Sequence, residues 1–130
     1  MRHLTALPAL AATLLLAACE EPEVDGAAFF ADNCTQCHGP AGRGDGPLAE
    51  GLGTPPADLT RISARNGGEF PLVHVMSVID GYARGDRAMP AFGAADLGDT
   101  IVVEIEEGVG TPVPSMLWAL AGYLESIQEP

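Results

Sequence analysis

The stretch Cys34-Thr35-Gln36-Cys37-His38 constrains this 130-residue chain more than any other. Two thiols three positions apart, followed at once by an imidazole, suit covalent haem attachment. The thiols add across the two vinyl groups, and the histidine, held close by the second thioether, reaches the iron from one face. Such a chain must wrap a large rigid apolar disc. With four Phe, two Tyr and one Trp it buries only a modest core of its own. It is therefore expected to be poorly folded without the cofactor.

Two other uses of paired thiols fit less well. A zinc site needs further Cys or His ligands, and beyond the motif the segment after Cys19 offers only His74. A dithiol redox pair belongs at a βαβ turn, and no such pattern surrounds Cys34.

The third cysteine stands in a different context. Met1-Arg2-His3 is a short positive start, and Leu4 to Ala18 is apolar, rich in Ala and Leu, and too short to span a bilayer comfortably. Leu16-Ala17-Ala18-Cys19 resembles a bacterial lipobox, which implies export, lipidation of Cys19 and a new first residue there. Glu20, in place of the aspartate that retains such proteins at the inner membrane, points to the outer membrane. The expected organisation is a lipoprotein signal peptide over 1–18, a lipidated cysteine and acidic tether over 19–25, and one domain over 26–130. All eighteen acids lie after Cys19, against five arginines and no lysine, so that part of the chain carries about −13. Nucleic-acid binding is excluded on that charge. The acidity then serves either docking, on a basic partner surface or through an uncharged patch, or solubility alone.

Within the domain, Asp25 is suited to cap a helix whose Ala27, Phe30, Ala31 and Cys34 share one face, leading directly into the first thiol until Gly39-Pro40 stops it. Residues 39–58 form a Gly/Pro-rich loop with at most one turn near Leu48 to Gly51. Thr60 can cap a short helix ending before Gly67-Gly68. Pro71 fits a first helical position, and Leu72, Val75, Met76 and Ile79 line one face as far as Gly81. His74 falls on the opposite side, towards solvent. A second glycine-rich loop, 81–93, holds Met89-Pro90. Asp99 to Glu107 is ambiguous between strand and helical turn, and Gly108 to Pro114 breaks it. Ser115 is a plausible cap for a last helix with Leu117, Leu120, Ala121, Leu124 and Ile127 at helical spacing.

The run from Gly26 to Gly39 resembles the N-terminal helix and haem motif of class I cytochromes c, and the resemblance extends over about residues 26–128. In that family a small residue and an aromatic, eight and four positions before the first cysteine, pack on the C-terminal helix; Gly26 and Phe30 match them, and Leu120 and Tyr123 match their partners. The implied fold is all-α, about four or five helices wrapped around one covalently bound haem c. The resemblance assigns Cys34 and Cys37 to the thioethers and His38 to one axial position. It assigns Met89 to the other, with Met76 and His74 as alternatives. It also gives a loop proline the task of receiving the free ring N–H of His38, with Pro47 the candidate and Pro55 and Pro56 the alternatives. Tyr82, Arg84 and Arg87 could meet a propionate or a partner, and Trp118 is expected to pack near the haem edge. The lysine ring that guides docking of mitochondrial-type relatives is missing.

The expected function is one-electron transfer by a membrane-tethered, periplasmic mono-haem cytochrome between respiratory or dehydrogenase partners, not catalysis. The alternatives are a gas or peroxide sensor, or a catalytic site, with a labile methionine, and a dedicated haem subunit of a larger oxidoreductase.

Overall fold

A computed structural model describes residues 24–83 and 89–130. The signal-like segment, Cys19, Arg84 and Arg87 lie outside the described residues. Helix α1 (Gly26–Asn33) starts where expected, with Asp25 Oδ1 accepting the N–H groups of Ala27 and Ala28 at 2.9 and 3.0 Å. A break at Cys34 separates it from the short α2 (Thr35–His38), yet the hydrogen bonds run on: Cys34 N–H donates to Phe30 and His38 N–H to Cys34. Both thiols therefore ride on one helical run, which Gly39 ends with a φ of 75°.

Two further helices, α3 (Ile62–Arg65) and α4 (Leu72–Asp80), precede a hairpin of β1 (Thr100–Glu106) and β2 (Val109–Pro114), and α5 (Ser115–Ser126) follows. Asp58, rather than Thr60, caps the turn that leads into α3, and Pro71 precedes α4 as its cap. Ser115 is the first residue of α5 rather than its cap. The first N–H groups of α5 are instead taken by carbonyls of the loop that leads into β1, Ser115 to Asp99 at 2.8 Å and Met116 to Leu97 at 2.9 Å.

The core lies between α1, α4 and α5, built from Phe30, Val75, Met76, Ile79, Leu120 and Leu124, with Leu97 and Val113 closing one side. At the crossing of α1 and α5 the backbones nearly touch. A Cβ on Gly26 would overlap the carbonyl oxygen of Ala119 and sit 2.7 Å from the Leu120 nitrogen. One turn further on, the Phe30 and Tyr123 rings meet with centroids 5.3 Å apart. The family pairing of Gly26 and Phe30 with Leu120 and Tyr123 is thus reproduced in space.

The all-α expectation is corrected by the hairpin: among the described residues, five α-helices are joined by a two-stranded antiparallel sheet. Ile101, Val102, Val103 and Ile105 favour the pleated backbone, and their alternation presents Val103 and Ile105 inward and Glu104 and Glu106 outward. Gly108, at φ 76°, makes the turn, beside a register shift between Glu104 and Glu106. Pro112 and Pro114, which read as breakers, pair with Val102 and Thr100 on one alternate set of residues. An isolated ribbon has no third strand to need their missing N–H. Val113, opposite Ile101, is the hairpin's buried anchor.

Gly26→Ala should force α1 and α5 apart and cost on the order of 2–3 kcal/mol, read from denaturant unfolding of the haem-loaded protein. Gly122→Ala, on the same helix α5 with nothing within 4 Å of the added methyl, should instead stabilise by up to about 1 kcal/mol.

Candidate haem site

The glycine loop after the motif folds back onto the helix end that carries it. Gly44, Gly46 and Leu48 donate their N–H groups to the carbonyls of His38, Cys37 and Gln36 at 2.8, 3.1 and 2.8 Å. These are the orphan carbonyls of a helix end, satisfied here by the loop. A Cβ on Gly46 would lie 2.5 Å from the carbonyl oxygens of Thr35 and Gln36, so only glycine permits this approach. Gly44, at φ 82°, similarly lies against the carbonyl of Pro56. Leu59 N–H then donates to Gly42 at 2.6 Å. These contacts bring residues 56–59 alongside the motif.

The consequence is a hydrogen bond between His38 Nδ1 and the backbone carbonyl of Ala57, 3.0 Å long. A carbonyl only accepts, so Nδ1 carries the proton and Nε2 is left with its lone pair. The role given to Pro47 is therefore corrected. Pro47 is exposed on the loop, and the carbonyl that receives the ring N–H belongs to Ala57. Neither Pro55 nor Pro56 supplies it, although both line the neighbouring cavity. The proline rule misled because Pro55-Pro56 delivers the next residue's carbonyl rather than its own.

Two adjoining cavities, of about 350 and 560 Å³, open beside this imidazole. They share Cys34, His38, Leu59, Val78, Met89 and Phe92 as walls. Volumes of this size suit a cofactor. Cys37 lines the larger cavity, and neither Cys34 nor Cys37 is in a disulfide. The set offers two thiols, one imidazole with its Nε2 unprotonated and one thioether around a largely apolar space, which fits a haem c. Met89 is half-buried and walls both cavities, whereas Met76 is packed in the core and lines neither. His74 is exposed on α4, as its helical phase implies, but it also borders the smaller cavity with Arg65 and Asn66. Tyr82 is 91% exposed. Trp118 packs against the core and lines neither cavity, so its expected place at the haem edge is not observed.

Phe92, Leu59 and Ala57 were missed as site residues. Phe92 stands two positions after Met89-Pro90 and meets Phe29 edge to face, with centroids 6.0 Å apart. An apolar residue next to a candidate ligand was the available signal. Ala57 gave none, because a backbone acceptor leaves no side-chain signature.

Burial lowers the His38 pKa, with the Ala57 hydrogen bond partly opposing it, so the imidazole is neutral at neutral pH, the form that binds a metal. Burial, and then the neighbouring Cys37, push the Cys34 thiol up to about 11. Asp58 is held below its ordinary 3.8 mainly by the Thr60 hydroxyl, 2.6 Å from Oδ1; desolvation opposes this, and the Thr60 N–H, Arg43 and Arg65 each add a lesser lowering.

A family model described as cytochrome c oxidase, cbb3-type, subunit III matches residues 22–105, well over half of the chain. The chain belongs to this family of c-type cytochromes. No curated protein and no solved structure gives a match. The matched span of the cytochrome contains both thiols, His38, Ala57 and Met89, and it ends within β1, before α5. Membership implies a covalently bound haem c.

Asp58→Ala should remove the cap and cost about 1 kcal/mol at pH 7. Because the carboxyl is depressed in the fold, its contribution is complete above the ordinary value of 3.8 and fades as pH falls through the lower, folded value. Urea unfolding across pH should show the wild-type advantage shrinking on that acid limb.

Proposed function

We propose that this cytochrome is a mono-haem, one-electron carrier with His38 and Met89 as the two axial ligands. The observation that carries the reading is the His38–Ala57 hydrogen bond. It leaves Nε2 as the donor of an imidazole that walls the same apolar cavities as Met89. Bound haem supplies an iron that exchanges one electron between ferric and ferrous states. With His38 and Met89 both donating, an iron held here would have no position left for a substrate, which argues against substrate chemistry. A thioether favours reduced iron and raises the potential, while the carbonyl bond to His38 makes the imidazole a stronger donor and fixes its plane. Pro90 fixes the backbone directly after Met89 and brings no competing N–H.

Address and partners follow from the charge and the amino-terminal segment. The lipobox-like Leu16–Cys19 supports export and a lipid anchor on Cys19, which would confine the carrier to the periplasmic side of a membrane, with the outer membrane favoured by Glu20. The oxidase subunit in the family's description supports an oxidase-type complex as redox partner, served by a tethered shuttle or by a dedicated subunit. Co-purification from detergent-solubilised membranes separates those two: a subunit stays with the complex, a shuttle leaves it.

Ferric protein should show the methionine-to-iron charge-transfer band at neutral pH. Met89→Ala should abolish that band and lower the midpoint potential. Met76→Ala, a buried truncation, should cost about 2–5 kcal/mol and keep the band. A wild-type ferric spectrum without the band contradicts Met89 ligation and supports a five-coordinate sensor or catalytic site.

A further inference from the structure

The carboxy end of the chain grips the segment that holds His38. After α5 ends, Gln128 turns into residues 59–63 with both ends of its amide engaged. Nε2 donates to the carbonyls of Leu59 and Leu124 at 2.8 and 2.7 Å, and Oε1 accepts the Ser63 N–H at 2.8 Å. Beside it, Glu129 N–H donates to the Thr60 carbonyl at 2.7 Å, and the Glu129 carboxylate pairs with Arg43. Leu59 is thereby pinned through both backbone groups, its N–H by Gly42 and its carbonyl by Gln128. The carbonyl that receives His38 Nδ1–H lies only two residues earlier, on Ala57.

A half-buried amide that satisfies two distant backbone groups, one in the turn before α3 and one in α3, and a third on its own helix is costly to remove. Truncation takes the Gln128 amide away from the Leu59 carbonyl and from the Ser63 N–H, two backbone groups it holds from outside. The loop then loses its fixed distance from the end of α5, and Ala57 with it.

We propose that Gln128 is a positioning residue for His38. By clamping residues 59–63 to the end of α5, it fixes the Ala57 carbonyl where it receives the Nδ1 proton and so orients the imidazole towards the iron. The proposal rests on His38 being an axial ligand, as proposed above, and adds a residue that never touches the cofactor. A purely structural role would lower stability without changing the environment of the ring proton.

The test follows solvent exchange and chemical shift of the His38 Nδ1–H by NMR in ferrous, haem-loaded protein. Gln128→Leu should keep its covalent haem, exchange this proton about tenfold faster or more, and shift its resonance. Gln128→Glu keeps an acceptor for Ser63 but sets a carboxylate against two carbonyls, and should act in the same direction. It serves as the test if the leucine variant fails to load haem. Val113→Ala, in the buried side of the hairpin and away from both cavities, should lower the denaturation midpoint and leave the exchange rate at the wild-type value. Wild-type exchange in the Gln128 variants, or equal acceleration in Val113→Ala, overturns the proposal. Absence of covalent haem in the wild-type protein would instead overturn the reading on which it rests.

Discussion

The hydrogen bond from His38 Nδ1 to the Ala57 carbonyl joins the end of the motif helix to a backbone group nineteen residues away, and most of the fold's irregular structure serves that contact. The carbonyl fixes the tautomer, the tautomer fixes which nitrogen can bind iron, and the ring plane follows. Nothing in Ala57 itself secures the position. It is set by the glycines at 42, 44 and 46, which admit the close approach of loop to helix, and by the chain's last residues, which hold the far side of the loop. An arrangement held from both sides keeps a ligand in one geometry through a change of oxidation state, which is what rapid electron exchange requires.

The helical clasp supplies the frame. The near contact of Gly26 with the Ala119 carbonyl sets the distance between α1 and α5, and Phe30 against Tyr123 sets their rotation. Because Cys34 and Cys37 continue the same helical run, this crossing also fixes where the two thiols stand. α5 therefore serves twice, clasping the motif helix along its length and the Ala57 loop at its end. The cavities lie between these two attachments, with α4 as a third wall through Val75, Val78 and Ile79.

The parts that could be read in the sequence were those written in side chains. Asp25 announced the helix start, the face ending in Cys34 announced its direction, and Gly26, Phe30, Leu120 and Tyr123 announced the clasp. Three features were not written there. The carbonyl partner of His38 is a backbone group, so attention went to Pro47 when the prolines that mattered preceded Ala57. The hairpin combined strong β-formers with two prolines, a conflict that a two-stranded ribbon tolerates and a wider sheet would not. Gln128, two residues from the last position, looked like an unremarkable helix tail, because its value lies in contacts more than sixty positions away. Met89 was legible only through its neighbour Pro90 and its loop, and both cavities include it.

All of this depends on Cys34 and Cys37 carrying one haem covalently, as proposed. The most direct test is mass spectrometry of a proteolytic fragment containing both cysteines, from protein expressed in a host that matures c-type cytochromes and treated with a thiol alkylator after denaturation. The expected result is a fragment heavier by one haem, with neither thiol alkylated and the pigment resistant to acid acetone. A fragment of unmodified mass with both thiols alkylated, or pigment that passes into the solvent, would contradict it.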